Sequence, residues 1–223
     1  MTGPDRVSLP WSAADEMRHT SDGQPGWREE WAFWFWSADG LTGGYTGLTV
    51  VGGGTWYWAA LTRPGQPLLH VCDLGGPTLR PGSSSLLLKA EGLWADHDCE
   101  MPFEQWTVTN ECYAVALDDP DEVFARAYGV PTPIAFDLEW YATDTVHEVA
   151  GGYGQVGAVH AVIELPGGPM HGEFLGYRTH RWGQWLWGSD LLADGARAPL
   201  LVDGIRVERR LTERGWSETA LRP

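Results

Sequence analysis

Lysine is all but missing. Lys89 is the only one in 223 residues, and the fifteen basic residues face thirty acidic ones, for a formal charge of −15. A field of that sign repels a nucleic-acid backbone and an anionic membrane surface, so neither is an expected partner. Long apolar runs are lacking too: none approaches the roughly eighteen residues of a membrane span. The start, Met1-Thr2-Gly3-Pro4-Asp5-Arg6, has no charged-then-apolar leader pattern. Cysteines are few and odd in number (Cys72, Cys99 and Cys112), without Cys-x-x-Cys spacing. They read as reduced thiols of a cytoplasmic protein, packed as small buried hydrophobes.

Signature motifs are also missing. There is no Walker loop, no Gly-x-Ser-x-Gly and no His-Glu-x-x-His. No cofactor is expected. His97 and Cys99, flanked by Asp96, Asp98 and Glu100, have ligand chemistry but no second clustered pair, so they read as a polar strand end and no metal is expected.

What the chain has in excess is tryptophan, fourteen residues, accompanied by 29 glycines. Each indole needs a flat apolar neighbour and an acceptor for its N–H. A ring-packed core and a ring-lined ligand cavity both meet that need. Between Trp27 and Trp36 both alternating faces are apolar, as in a strand covered on two sides. Further strands are expected at 45–51, 55–62, 67–73, 85–98, 105–117, 133–141, 153–165 and 172–182, then a hairpin turning at Asp203-Gly204. Glycine turns at this spacing predict an all-β fold, an antiparallel barrel or barrel-like sandwich of roughly ten strands. One short helix is expected from Asp119 and Pro120 to Gly129, with Val123, Phe124 and Ala127 facing the barrel. Residues 1–26, polar and Pro/Gly-rich, read as a loosely held arm; 27–190 as the β domain; 191–223 as a hairpin extension completing the sheet.

Three segments carry candidate chemistry. Asp137 and Glu139 share one strand face, about 7 Å apart by strand geometry. They form either an acid/base pair or a solvated outer face with Ile134, Phe136, Leu138 and Trp140 packed inward. Asp96–Trp106 places Glu104 and Trp106 beside a proline corner, reading equally as a cavity edge or a structural corner. In Gly176–Gly183, Arg178, His180 and Trp182 alternate onto one side, as a proton-handling cluster or as an Arg–carboxylate pin to Asp137 or Glu139.

These segments resemble a known family. Leu93-Trp94-Ala95-Asp96 with Cys99–Trp106, Ala116-Leu117-Asp118-Asp119-Pro120, Asp137-Leu138-Glu139-Trp140, and the Gly-x-Arg-x-His-x-Trp-Gly ending at Gly183 are similar to the lipocalin-like AttH and hydroxyneurosporene-synthase (carotenoid hydratase) superfamily, especially an actinobacterial branch. The resemblance covers roughly 85–187, more weakly from Trp27, and its last motif carries most of it. It implies tandem lipocalin-like domains and cofactor-independent hydration or cyclisation of polyene, polyketide or terpenoid substrates. Carried over residue by residue, Glu100, Glu104 and Trp106 match one motif, Asp137 and Glu139 another, and Arg178, His180 and Trp182 the last. Gln105, Thr179 and Gln184-Trp185 depart from the family pattern, and too few residues follow Trp187 for a second barrel, so a homodimer would supply the missing half.

The expected function is therefore a cofactor-free cyclase, isomerase or hydratase of specialised metabolism, with Glu104, Asp137, Glu139, Arg178 and His180 as catalytic candidates. Its apolar substrate would contact Trp34, Trp36, Trp58, Trp94, Trp106, Tyr113, Trp140 and Trp182. The alternative is a non-catalytic lipocalin-like carrier of a hydrophobic small molecule.

Overall fold

A computed structural model describes residues 10–51, 54–74, 79, 86–119, 122 and 127–184, together with the backbone of three C-terminal strands. Its strands, in chain order, are β1 (Arg28–Trp36), β2 (Gly43–Val51), β3 (Gly54–Thr62), β4 (Leu68–Leu74), β5 (Leu88–Ala90), β6 (Leu93–Met101), β7 (Gln105–Leu117), β8 (Val130–Ala142), β9 (His147–Val149), β10 (Gly152–Glu164) and β11 (Met170–Gly183), then β12 (Leu200–Val202), β13 (Ile205–Thr212) and β14 (Gly215–Leu221). The first eleven form one antiparallel sheet in the order β4-β3-β2-β1-β11-β10-β8-β7-β6-β5, with β9 on β10. A further pairing of β4 with β7 closes eight of them into a ring.

The closure is partial. One edge of β7 is shared, with Gln105–Cys112 held by β6 and Val115–Leu117 by β4. The expected all-β barrel is therefore present, with corrections in detail. The strand expected over 85–98 breaks at Glu91-Gly92, where Gly92 takes a positive φ of 70° and turns β5 back onto β6. The three-residue β9, too short to show alternation, was not anticipated. The C-terminal strands pair among themselves as a three-stranded sheet instead of completing the large one as a hairpin. The expected helix after Asp119 and the loop near 190–198 lie largely or wholly outside the described residues.

Alternation decides what faces inward. Glu29, Trp31, Phe33 and Phe35 of β1 point into the barrel, all at most 2% exposed. Trp106 and Val108 of β7, Phe136, Leu138 and Trp140 of β8 and Val159 of β10 meet them in one core. Phe35 packs edge-on against Phe136 and Phe174. The other face of the first strands carries a second cluster, Tyr45, Trp58, Ala60, Leu68 and Leu117 with the half-buried Trp34 and Trp56. Both faces of β1 are covered, as its composition implied.

Space for the indoles comes from glycine. Gly157 and Gly176 sit opposite one another on β10 and β11, and a Cβ on either would collide with the Trp140 ring or press on it. The interior also holds polar groups. Asn110 donates to the Tyr57 hydroxyl, which lies 2.8 Å from Thr46 Oγ1, and Asn110 Oδ1 accepts from the Phe136 N–H. His97 is wholly buried, edge-on to Phe33, and neither ring nitrogen has a hydrogen-bond partner among the described residues. Burial pushes its pKa down to about 3.

Two outcomes follow. Gly157→Val should destabilise the fold by about 1–3 kcal/mol in urea unfolding, because the Trp140 ring has nowhere to go. Because folded His97 refuses the proton that the unfolded chain accepts, its contribution to stability is present above pH 6.5 and lost toward pH 3, at up to about 1.4 kcal/mol per pH unit. His97→Leu should therefore flatten the fall in urea midpoint between pH 7 and pH 5; an unchanged slope would contradict this.

Candidate functional site

Among the described residues, most of the buried charge gathers at one end of the barrel, where β1, β7 and β10 begin and β6, β8 and β11 end. Arg178 enters the interior from β11 and is 1% exposed. Its guanidinium lies 5.0 Å from the Trp140 ring centroid, 5.4 Å from Tyr153 and 5.7 Å from Trp106. A buried guanidinium needs a counter-charge and acceptors for its N–H groups. Both arrive from a distance. Nη1 and Nη2 donate to the two Glu16 oxygens at 2.8 and 2.6 Å, while Nε and Nη2 donate to Gln155 Oε1 at 3.1 and 2.6 Å. Burial works against the Arg178 charge, and Glu16 more than restores it, so its pKa is raised.

Glu16 belongs to the N-terminal arm, in a short 3-10 turn over Ala13–Glu16 that Asp15 caps by accepting from both Ser12 N–H and Ser12 Oγ. The arm is thus docked through Trp11, Glu16 and His19, not loosely held. Trp11 packs at 5.4 Å on Tyr153, and Glu16 also accepts from the Phe103 N–H at 2.8 Å. Phe103, at the β6–β7 turn, has a positive φ of 61°, a strained region for a residue with a ring. The contacts that hold it there are the Glu16 bond and a Gln155 Nε2 donation to its carbonyl at 2.9 Å.

Beside this pair lies a second cluster. Glu29 Oε1 is 3.0 Å from His180 Nε2 and 2.7 Å from His19 Nδ1, and His19 N–H also donates to both Glu29 oxygens. His180 stacks on Trp31 at 4.5 Å, and its Nδ1 lies 3.2 Å from the Tyr153 hydroxyl. His19 stacks on Trp182 at 4.0 Å. Burial alone would raise the Glu29 pKa, but the hydrogen bonds from His180 and His19 overcome it and the carboxylate stays ionised. Burial lowers the His180 pKa, whereas Glu29 outweighs desolvation at the more exposed His19 and raises it. His19 also lines a groove of about 490 Å³ with Arg18, Gln24 and Trp27.

A second candidate lies at the opposite rim, roughly 20 Å along β7 from Trp106. A cavity of about 580 Å³ opens there, lined by Trp94, Tyr113, Leu93, Pro133, Ile134, Leu165 and Pro166, with Glu111 and Glu164 at its edge. Tyr113 is 65% exposed, so a large ring stands uncovered beside it.

The anticipated residues divide among these places. Arg178, His180 and Trp182 do converge, with the carboxylate pin supplied by Glu16 and not by Asp137 or Glu139. Asp137 and Glu139 lie exposed on the outer face, where Glu139 accepts from Tyr141. Glu104 is exposed at the β6–β7 turn, and Glu100 is exposed near the end of β6. Trp106 and Trp140 are core residues at 1% exposure. Trp34 and Trp58 belong to the outer cluster, and Trp36 is half-buried at the end of β1. Only Trp94 and Tyr113 line the rim cavity. All three cysteines are free, but Cys72 is exposed, not buried as expected.

Glu16, His19, Glu29, Tyr153 and Gln155 were not anticipated. Glu29 had a readable signal, since alternation places it on the inward face with Trp31, Phe33 and Phe35. Breaking the pin should be costly: Glu16→Gln or Arg178→Met alone should lose about 3–5 kcal/mol in urea unfolding. The double variant should lose less than the sum, and strict additivity would remove the pair from the account.

A family model described as a domain of unknown function (DUF7064) matches residues 12–193. No curated protein and no solved structure matches significantly. The matched span takes in the docked arm from Ser12 as well as the barrel, so Glu16 and His19 are part of the domain itself. By that match over most of its length, the chain belongs to the DUF7064 family.

Proposed function

We propose that this chain is a lipocalin-like binding protein that holds an apolar small organic molecule at the open rim of its barrel. The observation that carries this reading is the cavity of about 580 Å³ between Trp94 and Tyr113. That volume is of the size that takes a small ligand, and its lining is rings, prolines and aliphatic side chains with few polar groups. Glu111, Glu164 and the overall charge of −15 disfavour an anion, so the ligand is neutral or cationic.

The described interior offers less. Trp31, Trp106, Trp140, Phe35 and Phe136 fill it with rings packed on each other, and all are nearly inaccessible. Catalysis by cyclisation, isomerisation or hydration draws weaker support as well. Three of its five candidates face solvent, Glu104 at the β6–β7 turn and Asp137 with Glu139 on the outer face of β8. Every nitrogen of the Arg178 guanidinium is bonded to Glu16 or Gln155, and His180 is wholly buried between Glu29 and Tyr153.

The test is equilibrium binding of Nile red, a neutral apolar dye, followed by its fluorescence. Saturable binding near one equivalent is expected. Trp94→Ala and Tyr113→Ala should each weaken it by about tenfold, the scale of one lost ring contact, and Asp137→Asn should leave it unchanged. Equal binding by all variants would overturn the rim site.

A further inference from the structure

We propose that His19, Glu29 and His180 form a binding site for a divalent transition-metal ion, zinc in the first instance, that latches the N-terminal arm to the barrel. The site is independent of the rim cavity and lies at the other end of the molecule.

Among the described residues, these three form a group whose ligand atoms all lie within 4.8 Å of one another. They come from three separate elements: His19 from the arm, Glu29 from β1, His180 from β11. Two imidazoles and one carboxylate make a donor set that suits zinc and leaves a coordination position open. His180 and Glu29 are wholly buried, whereas the His19 side chain is 20% exposed and lines the groove beside Trp27, which gives an ion a way in.

The outer contacts strengthen the case. A metal-binding histidine ordinarily donates its other ring N–H to an oxygen, which fixes tautomer and orientation. Both histidines have that oxygen in place. His19 Nε2 lies 3.4 Å from Asp15 Oδ1, and His180 Nδ1 lies 3.2 Å from the Tyr153 hydroxyl. The Tyr153 hydroxyl is also 3.2 Å from the Asp15 carbonyl oxygen. With His180 bound through Nε2, Nδ1–H donates to Tyr153 and Tyr153 donates onward to Asp15, leaving no group in this chain unsatisfied. Rings fix the planes of both imidazoles, Trp31 under His180 and Trp182 under His19.

As the ion takes His180 Nε2 and His19 Nδ1, the one proton of each neutral imidazole moves to its other ring nitrogen, where it donates to Tyr153 or Asp15. Only the second proton of a charged imidazolium is released to solvent, and no redox change is involved. The ion then replaces two hydrogen bonds that converge on one carboxylate oxygen with bonds to metal.

The test uses full-length protein stripped with a chelator. Cobalt(II) is titrated with detection by its visible absorption, and zinc(II) by competition with a chromophoric chelator. One equivalent should bind, and zinc should raise the thermal midpoint. His19→Ala changes an arm side chain that reaches solvent, so it should keep the barrel folded while losing on the order of a hundredfold in affinity and the thermal shift. Absence of saturable binding would overturn the proposal. So would unchanged affinity in His19→Ala, which would assign the metal to a surface group such as the exposed His160–Glu173 pair, 2.6 Å apart.

Discussion

A single guanidinium sets the architecture of one end of this molecule. Arg178 is carried inward by strand alternation, into a space walled by Trp106, Trp140 and Tyr153. A charge there is stable only with a paired carboxylate and a full set of acceptors. The ring of strands supplies Gln155 but no carboxylate for the guanidinium, so the counter-charge comes from the arm, as Glu16. Once Glu16 is bound, the 3-10 turn, Trp11 and His19 are drawn over the barrel end. The Phe103 turn is fixed by the same two groups, Glu16 and Gln155. The network contributes specificity of closure more than net stability, since a well-packed apolar replacement could be as stable.

The two ends of the barrel are therefore unlike. At one, Arg178, Glu16 and Gln155, and beside them Glu29, His19 and His180, bond to each other under a docked segment. At the other, β7 diverges between β6 and β4, and the strand ends leave rings uncovered around a cavity. Between them the interior is packed with indoles and phenyl rings, made possible by glycines that lack the Cβ which would meet Trp140. Tryptophan excess, which composition left open between packing and binding, resolves mostly into packing.

Much of the fold was legible because its signal is local. Period-two alternation and glycine turns located nearly every long strand, and the doubly apolar β1 declared a covered outer face before any pairing was known. The inward side of Ile134, Phe136, Leu138 and Trp140 was likewise readable, and with it the outward side of Asp137 and Glu139. The site was less so. Arg178 and Glu16 are 162 positions apart, and nothing local marks a polar, Pro/Gly-rich arm as docked. Its order comes from the needs of Arg178 and Tyr153, which exist only after the barrel closes. Strand alternation over Gly176–Gly183 put Arg178, His180 and Trp182 on one side, where they do converge, but gave no hint that Glu29 and His19 complete their surroundings.

The central claim, a filled interior with a binding rim, is tested most directly by NMR of the tryptophan indole N–H resonances during titration with a neutral apolar ligand such as Nile red. The account predicts that the Trp94 resonance shifts while those of Trp31, Trp106 and Trp140 hold still. Movement of the three interior indoles with Trp94 unmoved would place the ligand inside the barrel and contradict it.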